Sequence, residues 1–220
     1  MTNLIPNHCI TTLVKASFSF LILFFTACST VQTEQPLVTN VSAQQRVKQI
    51  DIISQWKLSG KIAFLQGDRR ERANIYWSID ESIPSQKLNL SSYLGINILQ
   101  LNSKKDHHTI KLDGKQYNGD NLDYLIEELT GLTLPAQALK YWLKGIPYSN
   151  TKDSITFDAQ TGFPKSLQSS LVNSYGQEQQ WLINYSRYKM VNNIALATKF
   201  TIKTQDLTIR IAIDKWQLNT

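Results

Sequence analysis

From Trp56 to Ile213 the apolar residues of this chain recur at every second position, in many short runs separated by turn residues. A period of two places alternate side chains on opposite faces of a strand, and strand after strand of it specifies a large antiparallel sheet with one dry face. Trp56, Leu58, Ile62 and Phe64 share one side of the first strand, with Gly60 allowing a bend or a close approach. After a turn at Gln66-Gly67-Asp68 come Ala73, Ile75, Trp77 and Ile79, interleaved with Arg72, Asn74 and Ser78. Leu88 and Leu90 continue the pattern, then His108, Ile110 and Leu112, the Asp113-Gly114 turn and a short strand over 115–118. Ile155 and Phe157 follow, then a strand near 167–175, the set Trp181, Ile183 and Tyr185, and the closing runs Phe200, Ile202 and Leu207, Ile209, Ile211, Ile213. The segment Ile96 to Leu101 is apolar on both parities, so its orientation is not readable. About ten or eleven strands are expected.

One stretch breaks the period. Leu122, Leu125, Ile126 and Leu129 stand at i, i+3, i+4 and i+7, the stripe of an amphipathic helix. Asp120 or Asn121 caps its start and Gly131 its end. After Leu134-Pro135 the pattern resumes with Leu139, Trp142 and Leu143, until Gly145 and Pro147 stop it. A further helix is expected from Ser42 to about Ser54, with Val47, Ile50 and Ile53 on one side.

A sheet of this size with one apolar face must curl or be covered. Two short amphipathic helices inside a strand-rich chain suit a lid, so the expected fold is mainly β with α. It is an incomplete antiparallel barrel covered by lid helices, with an apolar cavity between them. Phe64, Ile75, Trp77, Leu90, Leu125, Leu129, Trp142 and Phe200 are the candidate lining. Periodicity does not separate a cavity from a filled core, and both readings stand at this point.

Catalytic and metal chemistry find little support. The two cysteines are Cys9 and Cys28, both near the start, so a disulfide framework or cysteine metal cluster is not expected. His107 and His108 are adjacent, and neighbours on a strand point to opposite faces, so they do not serve one metal or one triad. No nucleophile elbow, phosphate-binding glycine loop or metalloprotease helix occurs. Glu127 and Glu128 are expected on the solvent side of the lid. Neither catalytic residue, metal nor cofactor is assigned. Positive charges are interspersed with acids rather than gathered in a run, so nucleic acid is not indicated.

The chain opens with Lys15, an apolar run from Ala16 to Phe25, then Thr26-Ala27-Cys28. This is the pattern of a secretory signal, too short to span a membrane. Its end resembles a bacterial lipobox, with Phe25 in place of the usual leucine. The resemblance implies lipidation at Cys28 and a mature chain that starts there. Ser29 is similar to the residue found there in outer-membrane-sorted lipoproteins. The expected organisation is a signal over 1–27, a lipidated N-terminus and polar tether over 28–41, and one domain over 42–220. Without Lys15, 22 basic residues face 17 acidic ones.

The lid stretch carries a family resemblance. Leu129-Thr130-Gly131, Leu134-Pro135, Leu139, Trp142 and Leu143-Lys144-Gly145-Ile146-Pro147 resemble the LolB family of Gram-negative outer-membrane lipoprotein receptors. The strand from Trp56 to Phe64, Trp77, the segment after Trp181 and Lys215-Trp216 are similar as well. The resemblance implies an eleven-stranded incomplete barrel capped by helices. It also implies a role in accepting lipoproteins from a LolA-like periplasmic carrier and passing their acyl chains to outer-membrane phospholipid. The expected address is the periplasmic face of the outer membrane, lipid-anchored, as a monomer. A structural or scaffold lipoprotein with a filled core is the alternative.

One loop stands apart. Ser91-Ser92-Tyr93-Leu94-Gly95 joins two strands yet carries Tyr-Leu at its centre, where polar residues are usual. From the residues alone, Leu94 either folds onto the sheet edge or projects. The family has Pro-Leu-Gly here, with its leucine implicated in membrane insertion. The resemblance therefore implies that Leu94 projects as the membrane-insertion tip, flanked by Tyr93 and Gly95.

Overall fold

A computed structural model describes residues 42–219. The expected signal, Cys28 and the tether fall outside the described residues. Helix α1 (Ala43–Asp51) comes first, followed by strands β1 (Gln55–Gln66), β2 (Arg69–Asp80), β3 (Ser85–Ser91), β4 (Asn97–Lys104), β5 (His107–Leu112) and β6 (Lys115–Gly119). Helices α2 (Leu122–Thr130) and α3 (Ala136–Lys144) interrupt the series. Strands β7 (Asp153–Phe157), β8 (Pro164–Val172), β9 (Glu178–Val191), β10 (Ile194–Lys203) and β11 (Thr208–Asn219) complete it.

All eleven strands form one sheet in the order β6-β5-β4-β3-β2-β1-β11-β10-β9-β8-β7. Every neighbouring pair is antiparallel. The first and last strands pair at the centre, which leaves β6 and β7 as the two edges. These edges do not pair with each other, so the barrel is open along one seam. The chain between them contains α2 and α3. A period change in mid-sequence is thus the crossing of that seam.

Gly60 makes the central pairing possible. A Cβ there would lie 2.1 Å from the Ala212 carbonyl oxygen. Opposite it, the register shifts between Ser59 and Gly60, placing Lys215 against Ser59 and Ile213 against Gly60. The bulge absorbs one residue of β11. Ile209, Ile211 and Ile213 point inward before it, and Trp216 and Leu218 still point inward after it.

The inner face and the helices enclose two hydrophobic clusters. The larger joins α1, α3 and the strands from β1, β2 and β8 to β11 through Ile50, Leu58, Ile75, Trp142, Ile183 and Phe200. The smaller lies beneath α2, where Leu122, Leu125 and Ala136 meet Leu99, Leu101 and Ile110. Leu88 and Leu90 touch both. All these side chains fall between Val47 and Leu218. The chain from residue 29 onward therefore retains the whole of both clusters, and it is the soluble form used in the experiments below.

Several sequence expectations take definite form. Ser42 caps α1 in a capping box with Gln45. Asn121 caps α2, and Gly131 and Gly145 end the lid helices in left-handed conformation, at φ 70° and 74°. In β4, Leu99 and Leu101 face inward, whereas Ile98, and Ile96 just before the strand, are exposed. The strand expected near 167–175 runs from Pro164 to Val172 instead. It stops early because the Asn173 carboxamide accepts the Tyr175 and Gln177 amides, folding a turn there.

Candidate functional site

The eight candidate lining residues divide between the two clusters. Ile75, Trp77, Trp142 and Phe200 are buried in the larger one, with Phe64 and Leu90 half-buried at its border. Leu125 is buried in the smaller cluster, and Leu129 packs half-buried against it. They therefore share one continuous interior, but with different roles. One end is packed solid with indole rings. Trp56 lies 5.6 Å from Trp77 and 5.5 Å from Trp216, centroid to centroid. Trp77 donates its ring N–H to Gln86 and Trp142 donates to Asp153, so both are fixed wall elements. Phe64, Leu90 and Leu129, joined by Leu132, Leu134 and Leu171, are apolar side chains left half in water. This rim is the part of the interior that its own side chains leave uncovered.

The two lid helices are held very differently. The C-terminal end of α3 is bolted down by charges that periodicity does not reveal. Arg46 is buried, and its guanidinium donates to the carbonyls of Gly145 at 3.2 Å, Lys144 at 3.4 Å and Ala195 at 3.1 Å. Burial lowers its pKa from the ordinary arginine value. Lys144, only 3% exposed, donates to the Ile53 carbonyl and reaches Glu81 at 3.3 Å. Tyr185 adds a hydroxyl bond to the Trp142 carbonyl at 3.0 Å. A helix tied by buried charge-assisted bonds does not swing away cheaply.

Helix α2 has lighter fastenings. Asp123 accepts the first amide of α3, that of Ala136, at 3.0 Å, standing in for the cap that Pro135 cannot supply. Burial pushes the Asp123 carboxyl above the usual carboxylate range, against the lowering effect of that amide. Glu127 was expected on the solvent side. It is instead half-buried and takes hydroxyl bonds from Thr133 at 2.5 Å and Ser174 at 2.7 Å, while Glu128 is exposed. Gly131 and Pro135 stand at the two ends of the five-residue link between the helices, a natural pivot.

The β3–β4 loop projects. Tyr93 is 92% exposed, Leu94 81% and Ile96 66%. The loop is nonetheless braced. The Gly95 amide donates to the Ser92 carbonyl at 3.0 Å, the Ile96 amide to the Ser92 hydroxyl at 3.2 Å, and the Asn74 carboxamide to the Ser92 carbonyl at 2.9 Å. Gly95 is required by its φ of 82° rather than by crowding, since a Cβ would meet nothing within 4 Å. The exposed Ile96 and Ile98 were not assigned to this tip from sequence, because the parity of their segment was ambiguous.

His107 is exposed and His108 buried, on opposite faces as expected. His108 Nδ1 has no partner, nor does the Ser103 hydroxyl opposite it in the β4–β5 pair. Burial lowers the His108 pKa; Asp106 and Asp120 oppose this, while His107 and Lys140 add to it. The unfolded chain therefore takes up a proton first as pH falls. Stability that is complete above the usual histidine value of about 6.5 is lost on acidification below it. Thermal melts of the soluble chain should lose more between about pH 7 and pH 5 than those of His108→Gln, whose curve should be flatter. Among the described residues, no three His, Cys, Asp or Glu side chains are grouped to hold a metal ion.

Fold and site together define a helix-covered half-barrel with an apolar interior and a greasy projecting loop. Known proteins make that class particular. The family model described as Outer membrane lipoprotein LolB matches residues 54–216, and the chain belongs to this family. The outer-membrane lipoprotein LolB of Psychromonas ingrahamii is 30% identical over 205 residues, covering 90% of this chain and 93% of that protein. That of Pseudoalteromonas translucida is 32% identical over 165 residues, covering 74% and 76%. Among solved structures, a DUF1329 family protein from Desulfovibrio piger superposes with a TM-score of 0.53 at 7% identity, over 81% of this chain and 91% of that one. At that identity the likeness is one of fold alone.

Proposed function

We propose that this protein is a lipid-anchored receptor that takes lipoproteins from a periplasmic carrier and releases their acyl chains into the inner leaflet of the outer membrane. The observation that carries the reading is the seam between β6 and β7, spanned by two amphipathic helices that are held so unequally. Helix α3 is the fixed wall, and α2, pivoting at Gly131 and Pro135, is the part that lifts. Acyl chains then enter past Phe64, Leu90 and Leu129 and lie against the inner face. Cys28 carries the anchor that keeps the receptor at the membrane. No catalytic step, metal or cofactor is required.

The energetics favour shelter over release. Each methylene left in water costs about 0.8 kcal/mol, so an acyl chain of roughly fifteen carbons costs on the order of 12 kcal/mol. A covered apolar interior removes most of that penalty during transit. Leu94 contributes only about 1.5–3 kcal/mol on entering lipid. That is enough to position the receptor or lower a barrier, whereas the bilayer itself is the thermodynamic sink.

The test is a transfer assay with the soluble chain, a lipoprotein loaded on its periplasmic carrier, and liposomes. Native soluble chain should take the cargo and pass it on. Leu94→Glu should take cargo equally well but deliver it at least ten-fold more slowly, about the factor that losing 1.4 kcal/mol or more implies. A folded chain that takes no cargo at all would return the interior to a filled core and the protein to a scaffold role.

A further inference from the structure

The face of the sheet turned away from the helices carries a basic groove, and we infer that it docks on anionic phospholipid headgroups. Its construction follows from register. Lys61 and Lys199 both pair with Ala212, one from each side, which sets the cross-strand row Lys61–Ala212–Lys199. Arg72 and Arg210 both pair with Ala63, which sets the row Arg72–Ala63–Arg210. The two rows lie two residues apart on β1 and β11. Each alanine is thus flanked by two long cationic side chains. Small residues form the floor and long ones the walls, which hollows a cavity of about 570 Å³ in a sheet surface.

Neighbouring strands are about 4.8 Å apart and alternate residues along a strand about 7 Å. The four cationic side chains come from four adjacent strands, β2, β1, β11 and β10, and therefore spring from a block roughly 14 Å by 7 Å. They are exposed, and no carboxylate is found among the residues lining the groove. Among the described residues none of the four is ion-paired; Glu71, the acid beside Arg72 in sequence, is taken by Arg69 at 2.8 Å. The next row extends the same charge, with exposed Arg70 across from Leu65, Leu65 across from Thr208, and Thr208 across from exposed Lys203.

The groove is continuous with the projecting loop. Tyr93 lines its edge, and Asn74, which pairs with Lys61, donates to the Ser92 carbonyl and fixes the loop to the Lys61–Ala212–Lys199 row. A greasy tip rigidly joined to a block of unpaired cations matches a surface that is apolar within and anionic at its face. That surface is a leaflet containing acidic lipid, and charge complementarity selects it over a neutral one. The inference rests on the membrane-delivery reading given above. It adds that orientation on the leaflet is set by headgroup charge on the outer face of the sheet, independently of the acyl anchor.

Co-sedimentation of the soluble chain with vesicles tests it. Vesicles of phosphatidylethanolamine with one-quarter phosphatidylglycerol are compared with phosphatidylethanolamine and phosphatidylcholine alone, at low and high salt. Binding should favour the anionic vesicles and weaken as salt rises. Each cation removed should cost about five-fold, so Lys61→Gln with Lys199→Gln should bind about 25-fold less tightly. The exposed substitutions should leave the melting temperature and lipoprotein uptake from the carrier unchanged. Equal binding by native and double variant, or equal binding to both vesicle types, overturns the inference. So does a variant that loses affinity for the carrier and not for vesicles, since the groove would then face a protein. If anionic vesicles are bound through these lysines while no lipoprotein is taken up, the docking surface stands and the transport reading falls.

Discussion

A disulfide between Gly119→Cys and Leu125→Cys is expected to reduce lipoprotein uptake by the soluble chain to background, and dithiothreitol to restore it. A Cβ built on Gly119 lies 3.9 Å from Leu125 Cβ, inside the range of about 3.5–4.5 Å that a disulfide spans. The bond would pin the start of α2 to the end of β6, one edge of the seam. Both native cysteines, Cys9 and Cys28, precede residue 29, so the soluble form contains no competing thiol. The reduced double variant controls for loss of the buried Leu125 side chain. If α2 lifts to admit acyl chains, the oxidised form is folded, more resistant to unfolding and unable to load. Uptake that is the same in oxidised and reduced forms would mean that the interior fills by another route.

The largest effect on stability is expected at Gly60. Gly60→Val places a branched side chain where a Cβ alone meets the Ala212 oxygen at 2.1 Å and Ile213 Cα at 2.8 Å. Both are backbone atoms of β11, so a rotamer change gives no relief. β1 must separate from β11 at the centre of the sheet, where the two ends of the chain are joined. Overpacking of this kind costs about 3 kcal/mol or more. For a domain of this size that lowers the melting temperature on the order of 10 °C. Urea unfolding should show a lower midpoint with an unchanged slope. Ile62→Val, two residues along the same strand, should cost only about 0.5–1.5 kcal/mol. A Gly60→Val variant as stable as that control would show that β1 and β11 are not in the close register described.

The contrast between what could and could not be read from the sequence has a physical basis. Alternation located the strands because each has one dry face, and glycines at Gly131 and Gly145 marked the lid because a left-handed cap needs them. Where both faces were apolar, as from Ile96 to Leu101, nothing distinguished inside from outside, and the exposed Ile96 and Ile98 went unassigned. The bolts of α3 were equally hidden. Arg46 lies 99 residues from the Gly145 carbonyl that it holds, and a buried charge has the same letter as a surface one. The early end of β8 depended on one side-chain turn at Asn173. The basic groove escaped for a related reason. Its cations come from β1, β2, β10 and β11 and meet only because the first strand pairs with the last. In one dimension they read as scattered charges, while in the folded sheet they form a block.

The position of the acyl chain tests the central claim most directly. A lipoprotein whose acyl chains end in a diazirine would be transferred to the soluble chain and photolysed, and the labelled peptides mapped by mass spectrometry. Labels at Phe64, Leu90 and Leu129, suppressed in the oxidised Gly119→Cys, Leu125→Cys form, are the predicted result. Labels confined to the outer face around Tyr93, Lys61 and Lys199, or an unlabelled interior in a chain that has taken cargo, would contradict it.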